Sequence, residues 1–175
     1  MISVIIPALD DEPALIETLA VLVEGVAEGV LRDCVVVSAK PSELLERYAD
    51  AAGCVFRVET GPREALMRKG ALLVRSEWSL VITPGLVPSG EWLNALADWV
   101  SDRPGTDEGA FIPFFAKRGL GAMLGAWAMN VRTRVTGRVD ILQGLVASTS
   151  VLRDGLVPRH AMTQLDARMV DRRVG

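Results

Sequence analysis

Short apolar runs and amphipathic segments alternate along the first hundred residues, and this alternation limits the fold more than any other feature. Val4 to Ile6, Cys34 to Ser38, Cys54 to Val58 and Leu80 to Thr83 are runs of strand length, rich in β-branched residues and bounded by turn signals. Such runs, apolar on both faces, belong to strands covered on both sides. Each is followed by a stretch of helical period. Leu15, Ile16, Leu19, Leu22, Val23 and Val26 recur on one face between Ala14 and Glu28. Ser42 stands as an N-cap before Leu44, Leu45 and Tyr48, and Pro62 opens a helix to about Arg75. Ser89 stands as the cap of a fourth helix through Trp92, Leu96 and Val100. Strands alternating with helices require right-handed crossovers and a mainly parallel sheet.

The first of these junctions carries the most chemistry. Ser3-Val4-Ile5-Ile6 runs into Pro7, which has no N–H to donate and is expected to stop the ladder. Asp10 or Asp11 then caps a helix with Pro13 in its first turn, and Glu12 stands near the positive end of the helix dipole. Ligands of open α/β sheets bind at such carboxyl ends of strands. No Gly-rich phosphate loop follows the strand, so neither a P-loop nor the dinucleotide fingerprint is present.

The rhythm changes after Asp102-Arg103-Pro104-Gly105. Ala110 to Phe115 reads as a proline-interrupted strand, at an edge or bulged, and Gly119 to about Gly137 as a helix. In that helix Leu120, Met123, Leu124, Trp127 and Val131 form one stripe that ends in Arg134 and Arg138. Core packing is the favoured role of the stripe, with a contact at a lipid surface as the alternative. Leu145 to Ala147 adds a further strand, and a polar helix is expected around Met162 to Arg173.

The chain has 175 residues and half of them are apolar, enough for one domain with a full core. The stretch from Gly119 to Val131 is too short for a membrane span, which needs roughly 20 residues. With no basic leader before the first strand, the expected compartment is the cytoplasm. Cys34 and Cys54 match no metal or redox spacing and read as free buried thiols, and His160 is the single histidine. Residues 1 to 116 hold 9 Lys+Arg against 18 Asp+Glu, whereas residues 117 to 175 hold 10 against 4. Oppositely charged halves commonly face each other across a cleft. The acidic balance and scarcity of aromatic residues argue against nucleic acid as a partner.

The opening strand, its proline and the acidic pair resemble the N-terminal signature of family 2 glycosyltransferases. Further on, Gly61-Pro62-Arg63-Glu64-Ala65-Leu66-Met67-Arg68-Lys69-Gly70-Ala71 resembles the Arg-rich helix start of a short bacterial branch of that family, matching at Arg63, Met67, Gly70 and Ala71. Asn130 to Gly137, Gln143-Gly144-Leu145-Val146 and Leu165 to Arg173 resemble its acceptor-side segments. The resemblance implies a three-layer α/β/α sandwich of the GT-A type, with a mainly parallel sheet and an antiparallel edge element. It implies a single domain over 1–175, with a nucleotide-binding half over 1–103 and an acceptor half over 104–175.

The implied activity is sugar transfer from a nucleotide-sugar donor to an unspecified acceptor. Pro7, Ala8, Leu9, Asp10, Glu12, Ser38 and Arg63 would line the nucleotide site. Lys69, Arg134 and Arg138 would meet phosphate, and Asp166 would act as the base. A homodimer and a peripheral membrane contact stay open. Two departures bear on the chemistry. Ser38 stands where the family holds the base with an Asp, and Ile82-Thr83-Pro84-Gly85-Leu86 stands where it carries metal-binding carboxylates. Mg²⁺ or Mn²⁺ is expected for the family, but these hard cations need anionic oxygen ligands that this segment lacks. The alternative is therefore a catalytically degenerate protein that keeps the fold as a binding or partner-docking module.

Overall fold

A computed structural model describes residues 1–10, 13–103, 108–116, 119–155 and 162–173. The first half alternates as the periodicity requires. β1 (Ile2–Ala8), α1 (Leu15–Ala27), β2 (Leu31–Ser38), α2 (Glu43–Ala51), β3 (Val55–Val58), α3 (Arg63–Ala71) and β4 (Trp78–Val81) follow in order. Then come β5 (Leu86–Ser89), α4 (Trp92–Ser101), β6 (Ala110–Ile112), α5 (Leu120–Thr136), β7 (Gly144–Ser148), α6 (Thr149–Arg153), β8 (Thr163–Gln164) and β9 (Arg168–Asp171). The main sheet has the order β3-β2-β1-β4-β7-β6-β8, and β5 pairs with β9 in a separate antiparallel ribbon. β3, β2, β1 and β4 are parallel, while β7 runs antiparallel to both β4 and β6.

Helices cover both faces of the sheet, which accounts for strands without polar alternation. On one face Leu15, Leu19, Leu45, Leu93, Leu96 and Trp99 pack against Val4, Ile6, Val36 and Leu80. On the other, Leu66, Met67, Ala71 and Leu152 pack against Ile5, Val35, Val37 and Val81. Trp78 and Trp99 meet edge to face with ring centroids 5.0 Å apart, a geometry worth about 1 kcal/mol beyond the area it buries. α3 approaches β1 so closely that a Cβ at Gly70 would collide with Ile5 Cγ2. Glycine at that position sets the helix–sheet distance.

Several local expectations are corrected. β1 does not stop at Pro7. It continues to Ala8, with Pro7 opposite Val37 of β2. The missing N–H lies on the β4 side, where the pairing with β4 ends at Ile5, so no ladder bond is lost. α1 starts at Leu15 with Ala14 as N-cap and no side-chain cap, and Asp10 instead forms an ion pair with Lys40. Asp11 and Glu12 lie outside the described residues. Ser42 does cap α2, accepting from Leu45 N at 3.2 Å. Ser89 ends β5 rather than capping α4, whose N-cap is Glu91.

β6 is not an edge strand, because β8 pairs with its outer side. The segment expected to be a polar C-terminal helix forms β8 and β9. Leu165, Ala167 and Met169 are buried while Asp166 and Arg168 are exposed, which is the period of a strand. Nor does the α5 stripe join the core: α5 buries Ala126, Asn130 and Thr133 instead. Asn130 decides this. Its side chain accepts from Phe114 N at 3.1 Å and donates to Phe114 O at 2.9 Å, fixing the rotation of the helix.

Candidate functional site

The chain turns out of the sheet at the carboxyl ends of β1, β2 and β4, and of the residues singled out from the sequence Leu9, Asp10, Ser38 and Arg63 stand at these turns. After β1 come Leu9 and Asp10, with Asp10 paired to Lys40 from the turn after β2. Ser38 ends β2 and is buried. Its hydroxyl donates to Lys40 O at 2.6 Å and accepts from Lys40 N at 3.3 Å, so it is committed to its own turn.

Arg63, the first residue of α3, reaches from the opposite side. Its Nη2 donates to Thr83 Oγ1 at 3.4 Å, just past the end of β4. Its Nε is buried and has no partner among the described residues. Burial pulls the guanidinium below its usual pKa range, against the opposing pull of Glu64 and Asp140. An unpaired, desolvated arginine N–H is a ready donor to an anion.

The turn at Thr83–Leu86 is fixed by contacts that use up its donors and acceptors. Thr83 Oγ1 donates to Ile141 O at 3.1 Å, and Thr83 O accepts from Leu86 N. Thr18 of α1 accepts from Gly85 N at 2.8 Å and donates to Leu86 O at 3.1 Å. Gly85 O accepts from Arg172 N at 2.8 Å. Gly85 has φ +83°, and a Cβ there would run into the Arg173 side chain. A divalent ion would find no carboxylate in this turn, and the Thr83 hydroxyl and the carbonyls of Thr83, Gly85 and Leu86 already accept hydrogen bonds. Among the described residues, no cluster of three or more His, Cys, Asp or Glu side chains is placed to hold a metal. The turn does not fit Mg²⁺ or Mn²⁺.

The carboxylate beside this turn is Asp171, at the end of β9, opposite Leu86. It accepts from Arg173 Nε at 3.0 Å and from Nη2 at 2.9 Å, and the Arg173 guanidinium holds it below the usual carboxylate range. A carboxylate so paired is a weak base. Asp166 stands exposed beyond the other end of β9, a strand about 10 Å long. Lys69 pairs with Glu59 at 3.4 Å where the chain leaves β3. Arg138 is exposed in the loop after α5, two residues before Asp140. Arg134 lies on α5 with Phe114, Trp127 and Gln164 in a groove of about 390 Å³. A larger groove, of about 670 Å³, runs between α2 and β3 at the sheet edge, away from the strand ends.

Sequence reasoning missed Asp171, Asp140 and the role of Gln143. Gln143 is fully buried. Its amide oxygen accepts from Asp140 N at 2.8 Å, and its amide nitrogen donates to Asn130 Oδ1 at 2.8 Å. It ties the loop that faces Arg63 and Thr83 to α5. The alternation of Leu165, Ala167 and Met169 was the available signal for the strand that carries Asp171.

Solved structures share this fold. A mannosyltransferase from Pyrobaculum calidifontis, in complex with GDP-Man and Mn²⁺, superposes with a TM-score of 0.63 at 14% identity, over 98% of this chain and 56% of that one. Glucosyl-3-phosphoglycerate synthase from Mycobacterium tuberculosis, in complex with Mg²⁺ and UDP, gives 0.61 at 15%, over 98% and 71%. The same enzyme with Mn²⁺ and UDP-Glc gives 0.59 at 16%, over 86% and 57%. The fold is that of the GT-A glycosyltransferases. At these identities the likeness concerns the GT-A fold alone, and the chain spans little more than half the length of several of these structures. No family model and no curated relative matches the chain.

Proposed function

We propose that this GT-A protein binds a nucleotide-sugar above the carboxyl ends of β1, β2 and β4, and that Arg63 supplies the positive charge for its diphosphate. The contact between Arg63 and Thr83 carries this reading. It puts a half-buried cation with a spare, buried N–H at the turn after β4. Glycosyl transfer needs the departing diphosphate stabilised as negative charge develops, and a positioned guanidinium can do this with no ion between. In this reading Asp10 and Lys40 flank the nucleotide at the ends of β1 and β2, buried Pro7 and Ala8 hold up the turn that carries Leu9, and Ser38 holds the turn after β2. UDP-Glc and GDP-Man, named with the compared structures, are the first donors to try.

Calorimetry with UDP-glucose and GDP-mannose, with EDTA and with manganese, tests the proposal. Saturable heat with either donor supports it, and silence across all four conditions rejects it.

One observation favours a second reading, in which the chain binds but does not transfer. Asp171, the carboxylate paired opposite Leu86 of the turn, is locked onto Arg173 and held ionised as a poor base. An inverting transfer needs a base for the acceptor hydroxyl, and Asp166, the candidate from the sequence, stands beyond the far end of β9. Sugar transfer that vanishes in Asp166→Asn while donor binding persists would reject the binding-only reading.

A further inference from the structure

α5 presents an apolar surface that the rest of the described chain leaves uncovered. Leu120, Met123, Leu124, Trp127, Val131 and Val135 are exposed large apolar residues of one helix, with Leu120 at 82%, Trp127 at 66% and Val135 at 71% of full exposure. Their positions, spaced by three or four residues, form a continuous stripe about 25 Å long. The bidentate grip of Asn130 on the Phe114 backbone fixes the helix with this stripe outward. Phe115, 44% exposed, lies under the Arg168 guanidinium, 4.9 Å from the ring centroid. A contiguous apolar face of this size marks an interaction surface.

Charge identifies the partner. From Gly109 to Val139 the sequence holds Lys117, Arg118, Arg132, Arg134 and Arg138 and no Asp or Glu. Of these, Arg132 is paired with Asp140 at 3.2 Å. The cations lie before and at the end of the stripe. Two copies docked helix on helix in parallel would bring Arg134 against Arg134, and in neither sense would the stripe of the second copy offer a carboxylate to these cations. A plane of anionic headgroups neutralises the arginines and receives the apolar stripe beside them. No helix among the described residues is long and apolar enough to cross a membrane. We propose that α5 lies in the plane of an anionic lipid surface, with its apolar stripe in the acyl boundary and its arginines at the headgroups. This inference is independent of the nucleotide-sugar reading.

The tryptophans supply a selective probe, because Trp78, Trp92 and Trp99 are buried and Trp127 is exposed. The experiment mixes the full chain with vesicles of phosphatidylcholine containing phosphatidylglycerol, and with vesicles of phosphatidylcholine alone. Expected are co-sedimentation with the anionic vesicles, a blue shift of the tryptophan emission, quenching by brominated lipid, and weakening at high salt. Leu124→Glu and Trp127→Ser should each weaken partitioning by about tenfold or more. Both positions are exposed, so thermal melting should stay unchanged and separate loss of binding from loss of fold. No partitioning into anionic vesicles at low salt overturns the proposal. Equal partitioning into neutral vesicles also overturns it. A concentration-dependent dimer that Leu124→Glu dissolves, without vesicle binding, assigns the stripe to a second copy and overturns it as well.

Discussion

Arg63 donates to Thr83 across the carboxyl end of the sheet at 3.4 Å, with its Nε buried and unpaired beside the bond. Thr83 belongs to the segment Ile82 to Leu86, where metal-binding carboxylates would be expected from the family resemblance. A carboxylate there would pair with Arg63 and neutralise it, whereas a threonine leaves the cation available. The missing acid and the buried arginine are one arrangement: a positive centre built from protein alone.

Arg63→Met should therefore weaken pyrophosphate and nucleotide-sugar binding without weakening the fold. Losing a charge-assisted donor, worth about 1.5–3 kcal/mol, corresponds to roughly ten- to a hundredfold in affinity. Replacing a desolvated cation by an apolar side chain of similar volume is often neutral or stabilising, so the melting temperature should hold or rise. Calorimetry in EDTA measures the first and calorimetric melting the second. Wild-type pyrophosphate affinity in the variant would remove Arg63 from the anion site.

Gln143→Leu should destabilise the fold. Asp140 N loses its partner inside the protein while Asn130 keeps only its bonds to Phe114, and an orphaned polar group costs about 1–3 kcal/mol. The same change should loosen the loop carrying Ile141, whose carbonyl accepts from Thr83. Urea unfolding gives the stability, and hydrogen exchange over residues 138–143 gives the loop.

Gly70→Ala sets two terms against each other. Alanine favours the helix by about 1 kcal/mol, but its Cβ collides with Ile5 Cγ2 on the central strand, and overpacking costs about 1–3 kcal/mol. Net destabilisation in urea is expected. Combining it with Ile5→Ala should cost less than the sum of the two single changes, because the second substitution removes the colliding methyl.

Asp171 predicts an acid limb in stability. Its folded pKa is held below the unfolded value by the Arg173 guanidinium. The unfolded chain therefore binds the proton more readily. The stabilisation is present above the unfolded pKa and disappears as pH falls through the folded value. Asp171→Asn should flatten the part of the melting curve that lies below the ordinary carboxylate pKa, and leave its slope near neutrality unchanged.

Cys34 and Cys54 should differ in reactivity. They precede residues paired in the β2–β3 ladder, and the hydrogen bond between the two thiols raises the pKa of Cys34, with burial adding to it, and lowers that of Cys54 against the opposing effect of burial. Iodoacetamide should modify Cys54 first, and Cys54→Ser should leave a chain that labels slowly. Peptide mapping of a labelling time course reads the order.

The parallel half was legible because each of its elements reports its own surroundings. Strands apolar on both faces must be covered twice, and the caps at Ser42 and the amphipathic stripes of α1 and α4 are local effects. The C-terminal half was not legible in the same way. β8 and β9 are short, and their pairing partners lie far away at Gly109 to Ile112 and Leu86 to Ser89. A polar stretch ending in arginines reads as helix until those edges are in place.

The candidate site divides along the same line. The sequence by itself determined that a carboxylate is absent at Thr83 and Gly85, and that cations collect after residue 117. Only the tertiary structure decided where those facts act. It brings Arg63, twenty residues away, onto Thr83, turns Ser38 inward to its own loop, and locks Asp171 onto Arg173. It also turns the α5 stripe outward, through one asparagine that grips a distant backbone. The physical reason is range: periodicity and capping act within a few residues, whereas the charge a site presents depends on groups that folding alone makes neighbours.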